Sequence, residues 1–274
     1  MFRERWVQLV AYGVCMVFAV MVIIPFLWVL TTALKTPADI SVWPPKFLPE
    51  RITLENFSQI LVKEDFLRYM LNSLIVSLGS MVSILLTSSL AGFIFAKYKF
   101  PYKGLLFTLI LATAIIPLQV YMIPLFIMVF KAKMMNTYAA MIFPMSIMTF
   151  GVFFMRQNIM AIPDDLIDSA RIDGANEFWI YMRIVLSLSK SAMMALGIFA
   201  FSEAWANFIW PLVVVTTKDK YTTELGLAIY QRQFYIEYGA ISAGAVITII
   251  PMVIVFFFLR RNILQGIATS GMKA

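Results

Sequence analysis

RQNIMAIPDDLIDSARIDGANEFWIYMRIVLSLSK, residues 156–190, is a polar segment set into a chain that is otherwise almost all apolar. Its residue order predicts a shape. Pro163 suits the first turn of a helix, and Asp164 and Asp165 just after it oppose the positive end of the helix dipole. That helix should run to about Asp173. Gly174 then supplies the backbone freedom needed to leave it. Asn176 can cap a second helix that carries Phe178, Tyr181, Met182 and Val185 on its apolar side. The expected product is a helix, a sharp elbow and a helix.

Around this loop the chain has 274 residues, of which 61% are hydrophobic and 14% charged. Several apolar stretches approach the roughly twenty residues needed to cross about 30 Å of hydrocarbon. Length alone places spans near 7–33, 70–96, 104–130, 137–155, 191–215 and 239–259. The fold class is therefore all-α: a polytopic membrane helix bundle of about six transmembrane helices, with residues 156–190 as its loop. The first span is too long for a removed signal peptide and is expected to be retained. There is no histidine and one cysteine, Cys15, so no metal site and no disulfide framework is expected. The net charge of +7 comes from residues flanking apolar spans, where they act as anchors, and no nucleic-acid partner is expected.

An even number of spans puts both termini on one side. With the termini inside, twelve Lys and Arg face inward and ten outward, a small bias in the expected direction. Local crowding is more telling: Lys97, Lys99 and Lys103 share one short connection, and Arg260 and Arg261 follow the last span. Both termini and the 156–190 loop are then cytoplasmic. Pro37, Pro44, Pro45 and Pro49 make the first half of the outer Lys35–Arg68 loop extended and turn-rich, with a short helix starting around Thr53–Phe57.

Two further groups stand out within the spans. An acid inside a membrane segment is expensive, and Glu203 lies near the middle of the fifth. On a continuous helix Glu203, Asn207 and Trp210 share a face, joining an aromatic ring to hydrogen-bonding groups as sugar recognition requires. Interhelical hydrogen bonding with Trp210 as an interface anchor fits the same residues equally well. Gln119, between Pro117 and Pro124, is a second candidate cavity residue. Similarly, Asp168 either pairs with Arg171 along its own helix or offers its carboxylate to a cation on another protein. A rigid knob of this kind can seat in a groove on a partner and pass its movement to the spans as a lever.

Asp168-Ser169-Ala170, then Gly174, then Ile184 and Leu186 carry the spacing of a known motif. The loop resembles the coupling loop of the permease subunits of binding-protein-dependent ABC importers: Glu-Ala-Ala, three residues, Gly, nine residues, Ile, one residue, Leu-Pro. Asp168 replaces the Glu, Ser169 the first Ala and Ser187 the Pro. Ile123-Pro124-Leu125-Phe126, Asn136-Thr137-Tyr138, Pro211-Leu212, Leu225-Gly226-Leu227 and Ala243-Gly244-Ala245 extend the resemblance to the carbohydrate importers, specifically the smaller inner-membrane subunit of the maltose-transporter type. The tail Gln265–Ala274 resembles the tail such subunits place between two ATPase domains.

The resemblance implies a single permease domain over 1–274 in the inner membrane of a prokaryote, importing a sugar or oligosaccharide. It implies that Asp168, Ala170, Asp173, Gly174, Ile184 and Leu186 couple to an ATPase. Gly266, Gly271 and Lys273 would contact that ATPase through the tail, and Glu203, Asn207, Trp210 and Gln119 would line the substrate pathway. The chain has no Gly-x-x-x-x-Gly-Lys-Ser/Thr phosphate loop, so it is not itself the ATPase and not an enzyme. The implied partners are two ATPase subunits that bind ATP and Mg, a second, different permease, an extracytoplasmic solute-binding protein and membrane lipid. Glycerol phosphate or another polar solute is the alternative cargo; an ATP-independent carrier and a non-transporting scaffold are the alternative functions.

Overall fold

The computed structural model describes residues 2–233 and 237–271, and among them there are helices and no strands. The principal elements are α1 (Phe2–Ala33), α2 (Phe66–Lys97), α3 (Lys103–Thr113), α4 (Leu118–Lys131), α5 (Tyr138–Ile142), α6 (Thr149–Met160), α7 (Asp164–Ile172), α8 (Glu177–Ile180), α9 (Lys190–Trp205), α10 (Ile209–Val214), α11 (Thr223–Gln233) and α12 (Tyr238–Gly271). They fall into two compact units. One comprises Met1–Leu67 and Gly226–Ile250, the other Arg68–Leu225 and Pro251–Ala274.

Three helical stretches, Gln8–Ala33, Phe66–Lys97 and Tyr238–Phe257, are unbroken and long enough to span a bilayer. The other candidates are bent pairs: α3 with α4 at 98°, Tyr138–Met145 with α6 at 51°, and Glu177–Leu188 with α9 at 81°. Six spans result only if each pair counts as one. The span expected over 104–130 is two helices, because Pro117 (ψ 146°) has no N–H to continue the ladder. The helix expected over 191–215 also breaks. Its first part ends at Trp205, and Asn207 Oδ1 accepts the Trp210 N–H at 3.3 Å to start α10 afresh.

In the first unit, the carbonyls ending α1 are satisfied by Asn56, a buried residue whose Nδ2 donates to Ala33 O (2.9 Å) and Lys35 O (2.8 Å). A Cβ on Gly239, at the start of α12, would sit 2.5 Å from Asn56 Oδ1, so only glycine fits. Thr36 caps the turn Pro37–Ile40, its hydroxyl accepting from Asp39 N–H at 3.2 Å. The expected short helix after Thr53 appears as Glu55–Ser58.

The second unit is built on close approach of α2 and α6. A Cβ on Gly92 would lie 2.8 Å from Met155 Cβ and 2.9 Å from the Arg156 nitrogen; one on Gly151 would lie 2.4 Å from Ser88 Oγ. Lipid offers no hydrophobic drive to bring helices together, so small residues that let backbones touch carry the packing. Toward the other end of α2, Asn72 Nδ2 donates to Asp219 O and Tyr221 O, and Tyr138 Oη donates to Asn72 Oδ1.

Candidate functional site

The elbow forms between α7 and α8. Pro163 stands immediately before α7 rather than within its first turn, with φ −58° presetting the entry. At the far end Gly174 has φ +85°; its N–H donates to Arg171 O (3.0 Å) and the Ala175 N–H donates to Ala170 O (2.9 Å). These two bonds make a Schellman motif, which satisfies the last carbonyls of α7 and reverses the chain. Asn176 Oδ1 then accepts the Trp179 N–H at 2.8 Å and opens α8.

Beneath the elbow, Ile167, Ala170, Ile180, Tyr181 and Val185 pack into one core with Phe93 of α2, Met155 and Ile159 of α6, and Ala192 and Leu196 of α9. The apolar face expected on the second helix is only half right. Tyr181 and Val185 are buried, but Phe178 and Met182 point outward at 71% and 45% exposure. Residues 181–185 wind as a π-helix, whose wider turn rotates the buried stripe onto Ile180, Tyr181 and Val185. Phe178 therefore adds to a bare apolar tip that includes Ile172, exposed at 86%.

Charge holds the elbow closed. Arg171 Nη1 donates to Asp168 Oδ1 at 2.9 Å, while its Nε and Nη2 donate to the two oxygens of Glu177 at 2.7 and 3.2 Å. One guanidinium thus ties the end of α7 to the start of α8 through a forked contact. Tyr98 Oη, from the α2–α3 connection, donates to Glu177 as well, and the Arg171 guanidinium carbon lies 5.9 Å from the Tyr98 ring centroid. Lys97 Nζ donates to Ile162 O and pairs with Asp164 Oδ1 at 2.6 Å. Arg171 and then Tyr98 hold the Glu177 carboxyl below its ordinary range, and Lys97 does the same for Asp164. The Asp168 and Glu177 carboxylates are at least 46% exposed, so each of their pairs with Arg171 contributes on the order of 1 kcal/mol or less.

Of the residues expected at the coupling surface, Ala170, Asp173, Gly174 and Ile184 line one shallow hollow together with Leu166, Ser169, Asn176 and Trp179. Asp168 lies apart, beside Lys97, Tyr98 and Lys99, its carboxylate engaged by Arg171. Leu186 is partly buried against the core. Glu177, Tyr98 and Lys97 were not anticipated. Glu177 meets Arg171 six residues away across a glycine reversal, a spacing no continuous helix brings together.

A second feature lies among α2, the α3–α4 break, the α5–α6 break and the end of α9. It is a cavity of about 290 Å³ lined by Glu203 and Asn207 with Ser80, Thr113, Tyr121 and Thr149 among others. Trp210 does not line it. That ring is fully buried, with Nε1 donating to Ala140 O at 2.8 Å, and the helix break at 206–208 removes the shared face it was expected to have with Glu203. Gln119 is exposed and also lies outside the lining. Gly266 and Gly271 of the tail fall within α12; Lys273 lies outside the described residues.

Residues 88–269 match the family model described as "binding-protein-dependent transport system inner membrane component". The chain is 36% identical over 228 residues to the arabinooligosaccharides transport system permease protein AraQ of Halalkalibacterium halodurans, covering 83% of this chain and 82% of that one. It is 30% identical to the lactose transport system permease protein LacG of Rhizobium radiobacter, over 98% of this chain and 97% of the other. The sn-glycerol-3-phosphate transport system permease protein UgpE of Escherichia coli is 26% identical over 98% of both chains. Among solved structures, a chain of a bacterial ABC transporter involved in the import of the acidic polysaccharide alginate superposes with a TM-score of 0.81 at 18% identity, covering 94% of this chain and 96% of that one, which shows the fold.

Proposed function

The chain belongs to the family of binding-protein-dependent transport system inner membrane components, and from that premise we propose that it is the permease subunit through which an ABC importer takes up a neutral sugar or oligosaccharide. As a member of this family it is a multi-pass transport component of the membrane. The finer reading is ours: one permease domain, both termini cytoplasmic, paired with a second, different permease and two ATPase subunits that bind ATP and Mg. An extracytoplasmic binding protein delivers the solute. No cofactor is held by this chain itself.

The observation that carries the reading is the anchored elbow. Its core is shared with α2, α6 and α9, so a push on the exposed tip at Ile172 and Phe178 reaches three spans through one rigid block. In this role the hollow around Ala170, Asp173, Gly174 and Ile184 receives the ATPase, while Asp168 serves the elbow's internal clamp. Glu203 and Asn207 are the substrate-pathway residues the geometry favours; Trp210 supports them from behind. A lone carboxylate facing the cavity suits hydroxyl-rich neutral ligands and opposes anions. Sugar is therefore preferred over glycerol phosphate, and the relatives named for sugar transport are also the more similar in sequence.

The test is reconstitution of the whole complex in liposomes with its binding protein. Sugar-loaded binding protein should stimulate ATP hydrolysis and drive uptake together. Uptake that proceeds without ATP, or survives loss of this subunit, would overturn the proposal.

A further inference from the structure

In the first unit, the ends of two spans converge on a small pocket whose walls are mostly apolar, Trp28, Ile40 and Pro45 among them, and which holds a few polar groups. Trp28, Thr32 and Lys35 come from the end of α1 and the residues after it, Tyr238 and Ser242 from the start of α12, and Asp39 and Lys46 from the loop between. Tryptophan and tyrosine at span ends mark the headgroup level of a bilayer. Three groups in this pocket are left without the partners their chemistry demands. Lys35 is 97% buried, with relative exposure of 3%; its Nζ donates to Lys46 O and lies 4.5 Å from the Trp28 ring centroid. Among the described residues no carboxylate comes within ion-pair distance of it. The buried Thr32 Oγ1 and Asp39 Oδ2 have no hydrogen-bond partner.

A buried ammonium lacking a counter-ion is costly, and so is a buried carboxylate oxygen lacking a donor. Both costs vanish with one ligand that presents an anion to Lys35 and a hydrogen-bond donor to Asp39. The pocket holds about 240 Å³, below the roughly 300–1,000 Å³ of sites that enclose a drug-sized molecule, so it admits a headgroup and not an oligosaccharide. We propose that this pocket binds the headgroup of a phospholipid, the phosphodiester at Lys35 and a donor-bearing terminus, ethanolamine ammonium or glycerol hydroxyl, at Asp39, with Thr32 donating to a phosphate or ester oxygen. The acyl chains then lie along α1, whose most apolar stretch is wholly uncovered. The site thereby fixes the outer ends of α1 and α12 to lipid of a particular chemistry.

The experiment uses the full complex in nanodiscs of phosphatidylcholine, whose headgroup has no N–H or O–H donor, doped with phosphatidylethanolamine or with phosphatidylglycerol. Bound phospholipid is counted by native mass spectrometry and thermal stability is followed in parallel. Both donor-bearing lipids should be retained and should raise the melting temperature, phosphatidylcholine should not, and the larger effect identifies the headgroup. Asp39→Asn, at a part-exposed position in the turn Pro37–Ile40, should abolish the preference over phosphatidylcholine while leaving the chain folded. Lys35→Gln should cut retention about tenfold or more, as expected for loss of one charge-assisted bond. Equal retention of all three lipids, retention unchanged in both variants, or protection of this pocket by the second permease with no lipid bound overturns the assignment.

Discussion

Gly174→Val isolates what the elbow contributes. Nothing lies within 4 Å of where a Cβ at Gly174 would stand, so the substitution meets no neighbour in this chain. The whole perturbation is backbone: φ +85° is open to glycine, tolerated by asparagine, and strained for a β-branched residue. Holding a non-glycine residue there costs of order 1–3 kcal/mol, with valine toward the top and asparagine toward the bottom. Each 1.4 kcal/mol is tenfold in population, so the Schellman turn made by Gly174 N–H and Ala175 N–H would be depleted about tenfold to a hundredfold relative to relaxed alternatives. Proteoliposomes measured for both ATP hydrolysis and uptake should then show a falling number of solutes per ATP in the order Asn, Ala, Val, with membrane insertion unchanged. If Gly174→Asn were as damaging as Gly174→Val, the defect would follow side-chain bulk against a partner and not backbone strain. If Gly174→Val transported normally, the elbow model would fail outright.

Four other outcomes follow from the geometry. Glu177 and Asp164 are held below their ordinary values of 4.5 and 3.8, so the stability they contribute is present above those values and lost as pH falls through the lower folded-state ones. Uptake and protease resistance of the elbow should be flat from about pH 8 to about pH 5 and fall only in stronger acid; a transition near neutrality would contradict the clamp. Arg171→Lys, which loses the fork to Glu177, should weaken the elbow by about 1 kcal/mol, seen as faster amide exchange in 164–180. Gly92→Ala should destabilise the α2–α6 contact by about 1–3 kcal/mol in a melting experiment, whereas Gly104→Ala, with open space around it, should change nothing. Finally, Trp210→Phe should lower thermal stability by leaving Ala140 O unpaired without altering solute selectivity, while Glu203→Gln should relax discrimination against anionic solutes at unchanged stability; the reverse pattern would exchange their roles.

Some of this was readable in the residue order because its causes are local. A proline before two aspartates, a glycine eleven residues after that proline and an asparagine at a cap are each explained by the backbone within one turn, and the helix, elbow and helix appear where these residues put them. Apolar length likewise indicated the unbroken spans. What failed depended on winding and distant contact. Phe178 and Met182 were assigned to the buried face by a 3.6-residue period that the π-turn at 181–185 does not keep. Trp210 was grouped with Glu203 by assuming one helix, although Asn207, an α-helix breaker able to cap, stood between them. The Arg171–Glu177–Tyr98 clamp joins side chains that only the completed reversal brings together.

The breaks themselves bear on mechanism. Inside hydrocarbon every backbone N–H and C=O must be satisfied, so interrupted helices at membrane depth are tolerated only against protein or beside water. The bent pairs α3 with α4, 138–145 with α6, and 177–188 with α9 have enough apolar length to lie at that depth. The first two interruptions and the break after α9 border the same cavity: Ala114 and Ile116 at the first, Pro144, Ile147 and Met148 at the second, Ala204 and Asn207 at the end of α9. A cavity reached by water is the common solution to three broken ladders, and the same water can hydrogen-bond the Glu203 carboxyl. The α6 and α9 segments bordering the cavity descend into the core that holds the elbow, through Met155, Ile159, Ala192 and Leu196. In the proposed coupling role, tilting the elbow would move the walls of that cavity by their far ends, with the breaks as the points that yield.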